Sequence, residues 1–255
     1  MQPYFDLLNQ FFDTIYVITL QRATDRQEHI QKELKGLQFQ FFYGKDKKEF
    51  SVDTLKRNGI YDESLAQKNH RYGKPMTPGM IGCSWSHKLV YEDVLAHQYQ
   101  KVLILEDDVV IDRQQIALLP KLLKELPADW ELWYLGFAGN EQAPPNAFFK
   151  KTFYHLLRAL GAFNYSHTTI NRLYPQKVSE HIYQAGYHDC THAYALTFTG
   201  AKKLAQLQQP ISFFPDNLLA HAVTNELLKG YITLPKIINQ QYQVLPQATY
   251  SYINE

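Results

Sequence analysis

Lys101-Val102-Leu103-Ile104-Leu105-Glu106-Asp107-Asp108 joins a run of aliphatic residues directly to three acids. A short apolar run of this kind predicts a strand that is buried on both faces of a parallel sheet. The acids fall at the carboxyl end of the strand, where open α/β sheets bind their ligands. Adjacent carboxylates repel one another, and Mg²⁺ or Mn²⁺ would relieve that repulsion because these ions prefer hard oxygen ligands. The segment therefore predicts a metal site, with a solvated acidic turn as the alternative.

Strand and helix patterns alternate on both sides of this run. Residues 15–20 predict an earlier buried strand, and residues 131–135 and 193–198 predict two later ones. Thr77 and Pro78 begin an amphipathic helix, with Thr77 as the N-cap and Pro78 in the first turn. Alternation with long crossovers predicts an α/β fold whose mostly parallel, Rossmann-like sheet is flanked by helices.

Other elements are predicted more locally. Thr24 is expected to be a helix N-cap, with Gln27 completing a capping box, and Thr199 is expected to cap a later helix. Residues 45–74 are polar and weakly periodic, which predicts a long loop with one short helix that lies over a site. The remaining predicted elements are strands at 39–43 and 231–234 and helices at 116–126, 200–207 and 217–228.

The segment from Ala138 to Tyr187 interrupts the alternation. Prolines and glycines punctuate it, and it carries no acid between Glu141 and Glu180. We interpret it as an irregular insertion in a single domain that spans residues 1–255. A solvated surface and a basic wall for an anionic partner, such as a diphosphate or an acidic glycan, both fit this composition. The basic residues concerned are Lys150, Lys151, Arg158, Arg172 and Lys177.

Length and composition limit the class of protein. A chain of 255 residues can bury the core of one α/β domain. Its formal charge of +1 gives no basis for binding nucleic acid through bulk electrostatics. Two cysteines far apart in the chain indicate neither a disulfide framework nor a zinc ribbon. The N-terminus lacks a basic signal-peptide region, and no apolar run reaches the ~18 residues of a membrane span. We therefore expect a soluble, cytoplasmic protein.

Five short motifs resemble those of glycosyltransferase family 25 and occur in the expected order. Ile15–Arg26 resembles the opening motif of that family, and Pro78–His87 resembles its Gly-Cys and Ser-His segment. Leu103–Val109 resembles the metal motif, Thr191–Ala201 resembles the His-Ala-Tyr segment, and Asp216 follows a proline-containing turn as in the family. The family includes bacterial lipopolysaccharide and lipooligosaccharide galactosyl- and glucosyltransferases and collagen galactosyltransferases.

The resemblance implies a GT-A fold and the inverting, metal-dependent transfer of galactose or glucose from a UDP-sugar to a saccharide acceptor. An oligosaccharide or glycolipid of the bacterial surface is the implied acceptor, with weak, peripheral attachment to the inner face of the membrane. The chain departs from the family at Thr19, where Asn is usual, and in residues 138–187, which match no family motif. This unmatched segment leaves the acceptor unidentified, and we assign it to the acceptor side.

The acidic triplet supplies the predicted metal ligands. Asp108 is the first candidate ligand for Mn²⁺ or Mg²⁺ and Glu106 is the second, because alternate residues of a strand face the same side. Asp107 is assigned to the ribose or the sugar of the donor, although the geometry at the strand end could exchange these roles. A bound metal would stabilise the departing diphosphate of the donor.

Inversion requires one displacement, in which a carboxylate takes the proton of the acceptor hydroxyl. Asp216 and Asp189 are the candidates for this base. Asp216 is preferred because it starts a helix after Phe213-Phe214-Pro215, where a loop would face the carboxyl edge of the sheet. An ordinary helix N-cap is the alternative role for Asp216.

Five further residues are assigned to the donor site. Thr19, Arg22 and Arg26 follow the first strand, and the arginines could contact the phosphates or the base. The alternative for both arginines is an exposed position at a helix start. His87 and His192 lie in motifs that resemble the family, with hydrogen bonding inside the helix packing as the alternative for His87. A zinc pair formed by His188 and His192 is disfavoured, because the flanking sequence does not predict a helix there.

Two other classes of function remain open. A metal-dependent phosphoesterase or nucleotidyltransferase would also use carboxylates at a strand end, but it would cleave a phosphoanhydride without transferring a sugar. A catalytically silent module that binds sugar nucleotides would keep the fold without turnover. The intact triplet Glu106-Asp107-Asp108 argues against the silent module.

Overall fold

The computed structural model describes residues 1–244 of the chain. Its strands are β1 Thr14–Thr19, β2 Gln40–Tyr43, β3 Lys101–Glu106, β4 Val109–Ile111, β5 Leu132–Ala138, β6 Gln176–Lys177, β7 Ile182–Gln184, β8 Asp189–Thr197, β9 Gly230–Thr233 and β10 Ile238–Gln240. Its helices are α1 Gln2–Phe11, α2 Thr24–Glu33, α3 Val52–Arg57, α4 Glu63–Asn69, α5 Pro78–His97, α6 Leu119–Glu125, α7 Ala147–Ala159, α8 His167–Asn171, α9 Phe198–Leu207, α10 Pro215–Thr224 and α11 Gln241–Val244. A 3-10 helix, Gln115–Leu118, precedes α6.

Eight of these strands form one sheet in the order β2-β1-β3-β8-β5-β9-β7-β6, and β4 pairs with β10 in a separate ribbon. β1 is parallel to β2 and β3, and β5 is parallel to β9. β8 is antiparallel to β3 and β5, while β7 is antiparallel to β9 and β6. All strands of the sheet except β7 and β8 therefore point in one direction. The prediction of an α/β fold with a mostly parallel sheet flanked by helices is confirmed, and the sheet is mixed.

The two faces of the sheet bury two separate cores. Along β3, Leu103 and Leu105 pack into the core on one face, and Val102 and Ile104 pack into the core on the other. This alternation follows from the twofold side-chain period of a strand. Helices α1, α2 and α6 cover the first face, and α5, α9 and α10 cover the second. Because both faces are buried, the aliphatic run of β3 is apolar at successive positions.

The predicted helix at Thr77 and Pro78 is confirmed as α5. Thr77 is its N-cap and accepts a 3.3 Å hydrogen bond from the backbone N–H of Met80, while Pro78 lies in the first turn. No helix among residues 1–244 has the length and apolar character that a bilayer crossing requires.

The other two predicted caps are wrong. Ala23 is the N-cap of α2, and Gln27 donates a 2.9 Å hydrogen bond to the carbonyl of Leu20 and so closes the turn after β1. Thr197 caps α9 and accepts from the backbone N–H of Gly200, because β8 runs directly into the helix two residues before Thr199.

Residues 45–74 contain two short helices, α3 and α4, where one was predicted. Asp62 caps α4 by accepting a 2.8 Å hydrogen bond from the backbone N–H of Leu65. Leu55, Tyr61 and Ala66 pack with α5 in a small apolar cluster. The periodicity of the sequence did not predict this cluster, because α3 and α4 each contribute only one or two side chains to it.

Residues 138–187 are more regular than the predicted irregular insertion. They contain α7, α8 and the hairpin of β6 and β7. Phe163, Tyr165, Leu173 and Tyr187 form a third buried cluster there. The helices of this segment were missed because α7 is apolar on its exposed side, so its pattern does not resemble that of an ordinary surface helix.

Candidate active site

The carboxyl ends of β1 and β3 and the amino end of β8 meet at one edge of the sheet. Ile18 of β1 pairs with Glu106 of β3, and Leu105 pairs with Ala193 of the antiparallel β8. This edge forms the floor of a cavity of about 650 Å³. The predicted site residues that line it are Thr19, Arg26, His87, Glu106, Asp107, Asp108 and Asp216.

Glu106 and Asp108 point to the same side of the strand end and share one partner. Gln240 donates through Nε2 to Glu106 Oε2 at 2.9 Å and to Asp108 Oδ1 at 3.2 Å. Gln240 reaches them because β10 pairs with β4, which places Gln240 opposite Val109. The backbone N–H of Gln241 also donates to the carbonyl of Asp108 at 2.9 Å. The two carboxylates thus converge at the end of β3, Glu106 from the last residue of the strand and Asp108 from the turn that follows it.

This group of oxygens fits a divalent cation. Burial, together with the negative charges of Asp108 and Asp216, raises the pKa of Glu106 well above its usual range, and burial likewise raises the pKa of Asp108. The Oε1 atom of Gln240 is buried without a hydrogen-bond partner. The two ends of an amide differ by a 180° flip, so this carbonyl oxygen can also face the carboxylates. Two carboxylates and an amide oxygen suit Mg²⁺ or Mn²⁺.

A softer ligand set lies beside these oxygens but fits a metal less well. Ligand atoms of Cys83, His87 and Glu106 lie within 4.8 Å of one another. Burial raises the pKa of the Cys83 thiol well above its usual value, which keeps the sulfur protonated. A thiol, an imidazole and a single carboxylate form a softer ligand set than Mg²⁺ or Mn²⁺ prefers.

Asp107 is held by two partners of its own, Thr19 and Arg26. Thr19 Oγ1 donates to Asp107 Oδ2 at 2.7 Å, and Arg26 Nη1 contacts Asp107 Oδ1 at 2.6 Å. Arg26 Nη1 also lies 3.8 Å from Asp108 Oδ2. Thr19 and Arg26 thus orient the triplet and partly neutralise it.

Asp216 lies at the start of α10, beside the amino end of β8. Its Oδ2 accepts a 2.9 Å hydrogen bond from the backbone N–H of Cys190. Burial raises the pKa of Asp216 to about 6, and the negative charge of Asp189 adds to this rise. The N-cap of α10 is Phe214, so the alternative role of Asp216 as the helix cap is not observed.

Asp189, the other candidate base, does not line the cavity in the described part of the chain. Arg71 Nη2 lies 3.0 Å from Asp189 Oδ1 and stacks over the rings of Tyr165 and Tyr187. The ion pair holds Asp189 at the rim, between the cavity and the cluster that underlies α7.

The histidines occupy different environments. His87 lines the cavity, its Nδ1 lies 2.7 Å from Tyr194 Oη, and burial lowers its pKa to about 3. His192 packs beneath Gly136, with Nε2 3.2 Å from the carbonyl of Ile238 and with Nδ1 buried without a partner. Burial lowers the pKa of His192 to about 4, so both rings are neutral at physiological pH. His192 is not among the described residues that line the cavity.

Arg22 forms an ion pair with Asp46 and lies outside the lining of the cavity as the structure describes it. Asp46 itself borders the cavity and is fixed by the backbone N–H of Lys48 at 3.0 Å. The pair therefore braces the loop after β2, although Arg22 was assigned to the donor from the sequence.

Several residues of the site were missed by sequence reasoning. Gln240, Asp46, Cys190 and Arg71 carry no motif that reveals their position. Gln240 is the last residue of the three-residue strand β10 and has polar neighbours on both sides, so only the pairing of β10 with β4 brings it to the acids. The sequence around Asp46 contains several lysines, a composition typical of any solvated loop, so it does not indicate that Asp46 borders the cavity.

Comparison with known proteins supplies independent information on this chain. Residues 12–219 match the model of the family described as glycosyltransferase family 25 (LPS biosynthesis protein). Procollagen galactosyltransferase 2 of Mus musculus is 33% identical over 131 residues, which is 49% of this chain and 21% of the mouse protein. Inactive glycosyltransferase 25 family member 3 of Homo sapiens is 27% identical over 199 residues, which is 77% of this chain and 29% of the human protein. The matched region is thus less than a third of either relative.

A solved structure of a glycosyltransferase involved in the glycosylation of the major capsid of PBCV-1 aligns with 94% of this chain and 95% of its own. The TM-score is 0.43 and the sequence identity is 9%.

Proposed function

The chain belongs to glycosyltransferase family 25, and we propose that it transfers galactose or glucose from a UDP-sugar to a saccharide acceptor with inversion at the anomeric carbon. The observation that carries this proposal is the convergence of Glu106, Asp108 and Gln240 in the same cavity as Asp216. A metal-ligand group and a separate carboxylate are the two components that a single in-line displacement needs.

Glu106, Asp108 and the amide of Gln240 would hold Mn²⁺ or Mg²⁺. When bound, the ion would supply positive charge that stabilises the negative charge developing on the donor diphosphate as the sugar leaves. Asp107 would not be a metal ligand in this arrangement, because Thr19 and Arg26 occupy its oxygens. Their role is to keep the end of β3 in one conformation while charge accumulates beside it.

Asp216 would accept the proton of the acceptor hydroxyl. A pKa of about 6 leaves its carboxylate ionised at neutral pH and makes it a stronger base than an ordinary aspartate. The backbone N–H of Cys190 orients the carboxylate through Oδ2 and leaves Oδ1 for the acceptor. Asp189 is paired with Arg71, so we assign it to the support of this wall.

The acceptor is proposed to be a saccharide of a surface glycolipid. The family description, which refers to LPS biosynthesis, supports this choice, whereas the mouse relative carries the name of a procollagen galactosyltransferase. Residues 138–187 supply the wall beyond Asp189, through Tyr165 and Tyr187, and form the acceptor side in this proposal.

The proposal is tested by calorimetric titration of the protein with UDP-, GDP- and CMP-sugars, with and without Mn²⁺. Binding of one UDP-hexose that depends on Mn²⁺ supports it, and the same donor is then supplied with candidate oligosaccharides. Release of phosphate or nucleotide without any glycosylated product would favour the phosphoesterase reading. Donor binding without transfer to any acceptor would favour a catalytically silent module. The human relative is itself named an inactive member of the family.

A further inference from the structure

The apolar face of α7 is the least protected large hydrophobic surface among residues 1–244. None of the 13 residues of this helix is fully buried. Phe148 and Phe149 are each 75% exposed, and Leu160, the C-cap, is 70% exposed. Phe153 and Leu156 are both more than half exposed as well. Soluble proteins rarely present large apolar side chains in such a cluster unless the surface binds a partner.

These side chains form one continuous stripe. Successive residues of an α-helix are rotated by about 100°, so Phe148, Phe149, Phe153, Leu156 and Leu160 fall within an arc of about 140°. The opposite side of α7 is anchored to the protein, where Ala147, Tyr154 and Leu157 pack against the cluster of Phe163 and Tyr165. The stripe therefore points outward from a fixed helix.

Basic side chains lie beyond both borders of the stripe, toward the side of α7 that packs on the protein. By the same rotation, Lys150 lies about 60° beyond Phe153, and Lys151 lies about 60° before Phe148. The Lys150 ammonium lies 5.8 Å from the centre of the Tyr154 ring, and Lys151 Nζ donates to the carbonyl of Asn171 at 2.6 Å. The segment from 142 to 179 contains no acid. An aromatic apolar face with lysines at its borders is the pattern of a helix that lies in a membrane interface.

We propose that α7 docks the protein on an anionic lipid surface, with Phe148, Phe149, Phe153, Leu156 and Leu160 inserted between the headgroups. Charge complementarity decides against a second copy of this chain as the occupant. A symmetric dimer would place the same lysines opposite one another. Anionic headgroups instead attract them, at about 1 kcal/mol for each basic residue near the surface.

The position of α7 makes this docking useful for a lipid-linked acceptor. The cluster beneath α7 includes Tyr165 and Tyr187, over which Arg71 stacks while it pairs with Asp189 at the rim of the cavity. Tyr187 also donates to Asn217, the neighbour of Asp216, at 2.8 Å. A membrane bound by α7 would thus lie on the side of the cavity where the acceptor is proposed to enter. The docking itself does not depend on the proposed transfer.

The test is flotation of the purified protein with vesicles of phosphatidylcholine alone and of phosphatidylcholine mixed with phosphatidylglycerol. The wild type is expected to float with the anionic vesicles, more weakly at high salt and on the neutral ones. Phe148→Gln combined with Phe149→Gln should weaken the partition about tenfold or more, because two exposed aromatic anchors are lost. Lys150→Gln combined with Lys151→Gln should weaken binding to the anionic vesicles only.

Tyr43→Gln is the matched control. Tyr43 is 53% exposed on β2, at the opposite end of the sheet from β6 and β7, and its loss should leave the partition unchanged. Thermal unfolding and donor binding of every variant should equal those of the wild type, which separates the docking from the transfer. A wild type that ignores anionic vesicles overturns the proposal, as does a Phe148 and Phe149 variant that binds like the wild type. If the wild type forms dimers but does not bind vesicles, and the Phe148 and Phe149 variant is monomeric, the face serves self-association instead.

Discussion

The backbone N–H of Cys190 donates a 2.9 Å hydrogen bond to Asp216 Oδ2 and so joins the amino end of β8 to the first turn of α10. Cys190 adopts a left-handed backbone conformation, with φ of 55°. One oxygen of Asp216 is thereby fixed at the cavity, and its role can be tested directly.

Asp216→Asn should retain donor binding and lose transfer by a factor of roughly 10²–10⁴, the usual contribution of a general base. Because the pKa of Asp216 is about 6, transfer by the wild type should fall as the pH drops through that value. Steady-state rates and calorimetric donor affinity measure the two effects. Asp189→Asn is the comparison and should cost much less, since Arg71 already occupies that carboxylate. Near-normal transfer by the Asp216 variant would show that another residue is the base.

The same substitution should stabilise the fold at neutral pH. A carboxyl whose folded pKa is raised from 3.8 to about 6 is harder to ionise in the folded protein than in the unfolded one. The cost of ionisation is absent below pH 4, grows between pH 4 and 6 and is complete above pH 6. Asp216→Asn should therefore gain roughly 3 kcal/mol of unfolding free energy at pH 7 and little at pH 3.5. If urea unfolding showed the same gain in stability at pH 7 and at pH 3.5, the gain would not come from the ionisation of Asp216.

The sheet could be predicted from the sequence because β1, β3 and β5 each contain an uninterrupted run of apolar residues. Ile15 and Leu103 lie in buried, uninterrupted runs, and no other regular structure suits a run that is so short and flanked by polar residues. The helix caps at Thr24 and Thr199 were misplaced by one or two residues, since α2 begins after Ala23 without a side-chain cap and α9 is capped by the earlier threonine, Thr197. Tertiary geometry, rather than local propensity, decided where these helices begin.

The acids of the site were also predictable, whereas their surroundings were not. Glu106 ends β3 and Asp108 lies in the turn two residues later, so the nearness of their carboxylates depends on local sequence. Gln240 and Arg71 reach the site across long stretches of chain, through the pairing of β10 with β4 and through stacking on Tyr165 and Tyr187. Such contacts depend on the packing of distant elements, which a single sequence does not reveal.

Glu125 should stabilise the junction between α6 and β7. Although burial alone would raise its pKa, hydrogen bonds from Ser179 and His181 lower the pKa to about 2. Its stabilising effect should be complete above pH 4.5 and be lost as the pH falls toward 2. Glu125→Gln should cost roughly 1–3 kcal/mol at pH 7 in urea unfolding. Glu180→Gln, at a carboxylate that is 72% exposed, is the control and should cost almost nothing.

Thr19 should be a structural partner of Asp107. Thr19→Val keeps the shape of the side chain but removes the hydroxyl that donates to Asp107 Oδ2. The buried oxygen would lose a donor, which should lower the unfolding free energy by about 1–3 kcal/mol. Thr14→Val, on the same strand, removes an exposed hydroxyl that only accepts from Gln40 and serves as the control. A similar loss in both variants would show that the strand, rather than the hydrogen bond, is responsible.

Asp108→Asn should abolish the dependence of donor binding on Mn²⁺. The variant retains one carbonyl oxygen but loses the negative charge, and Glu106 with Gln240 offers too little charge to hold a divalent ion. We expect Mn²⁺ affinity, measured by calorimetry without donor, to fall about tenfold or more while the thermal unfolding midpoint is maintained, since less repulsion remains beside Glu106. Asp129→Asn removes an equivalent charge from an exposed ion pair with Lys229 and should change neither quantity. If the Asp108 variant binds Mn²⁺ and the UDP-sugar as the wild type does, Asp108 is not a metal ligand, and the proposed role of the triplet fails with it.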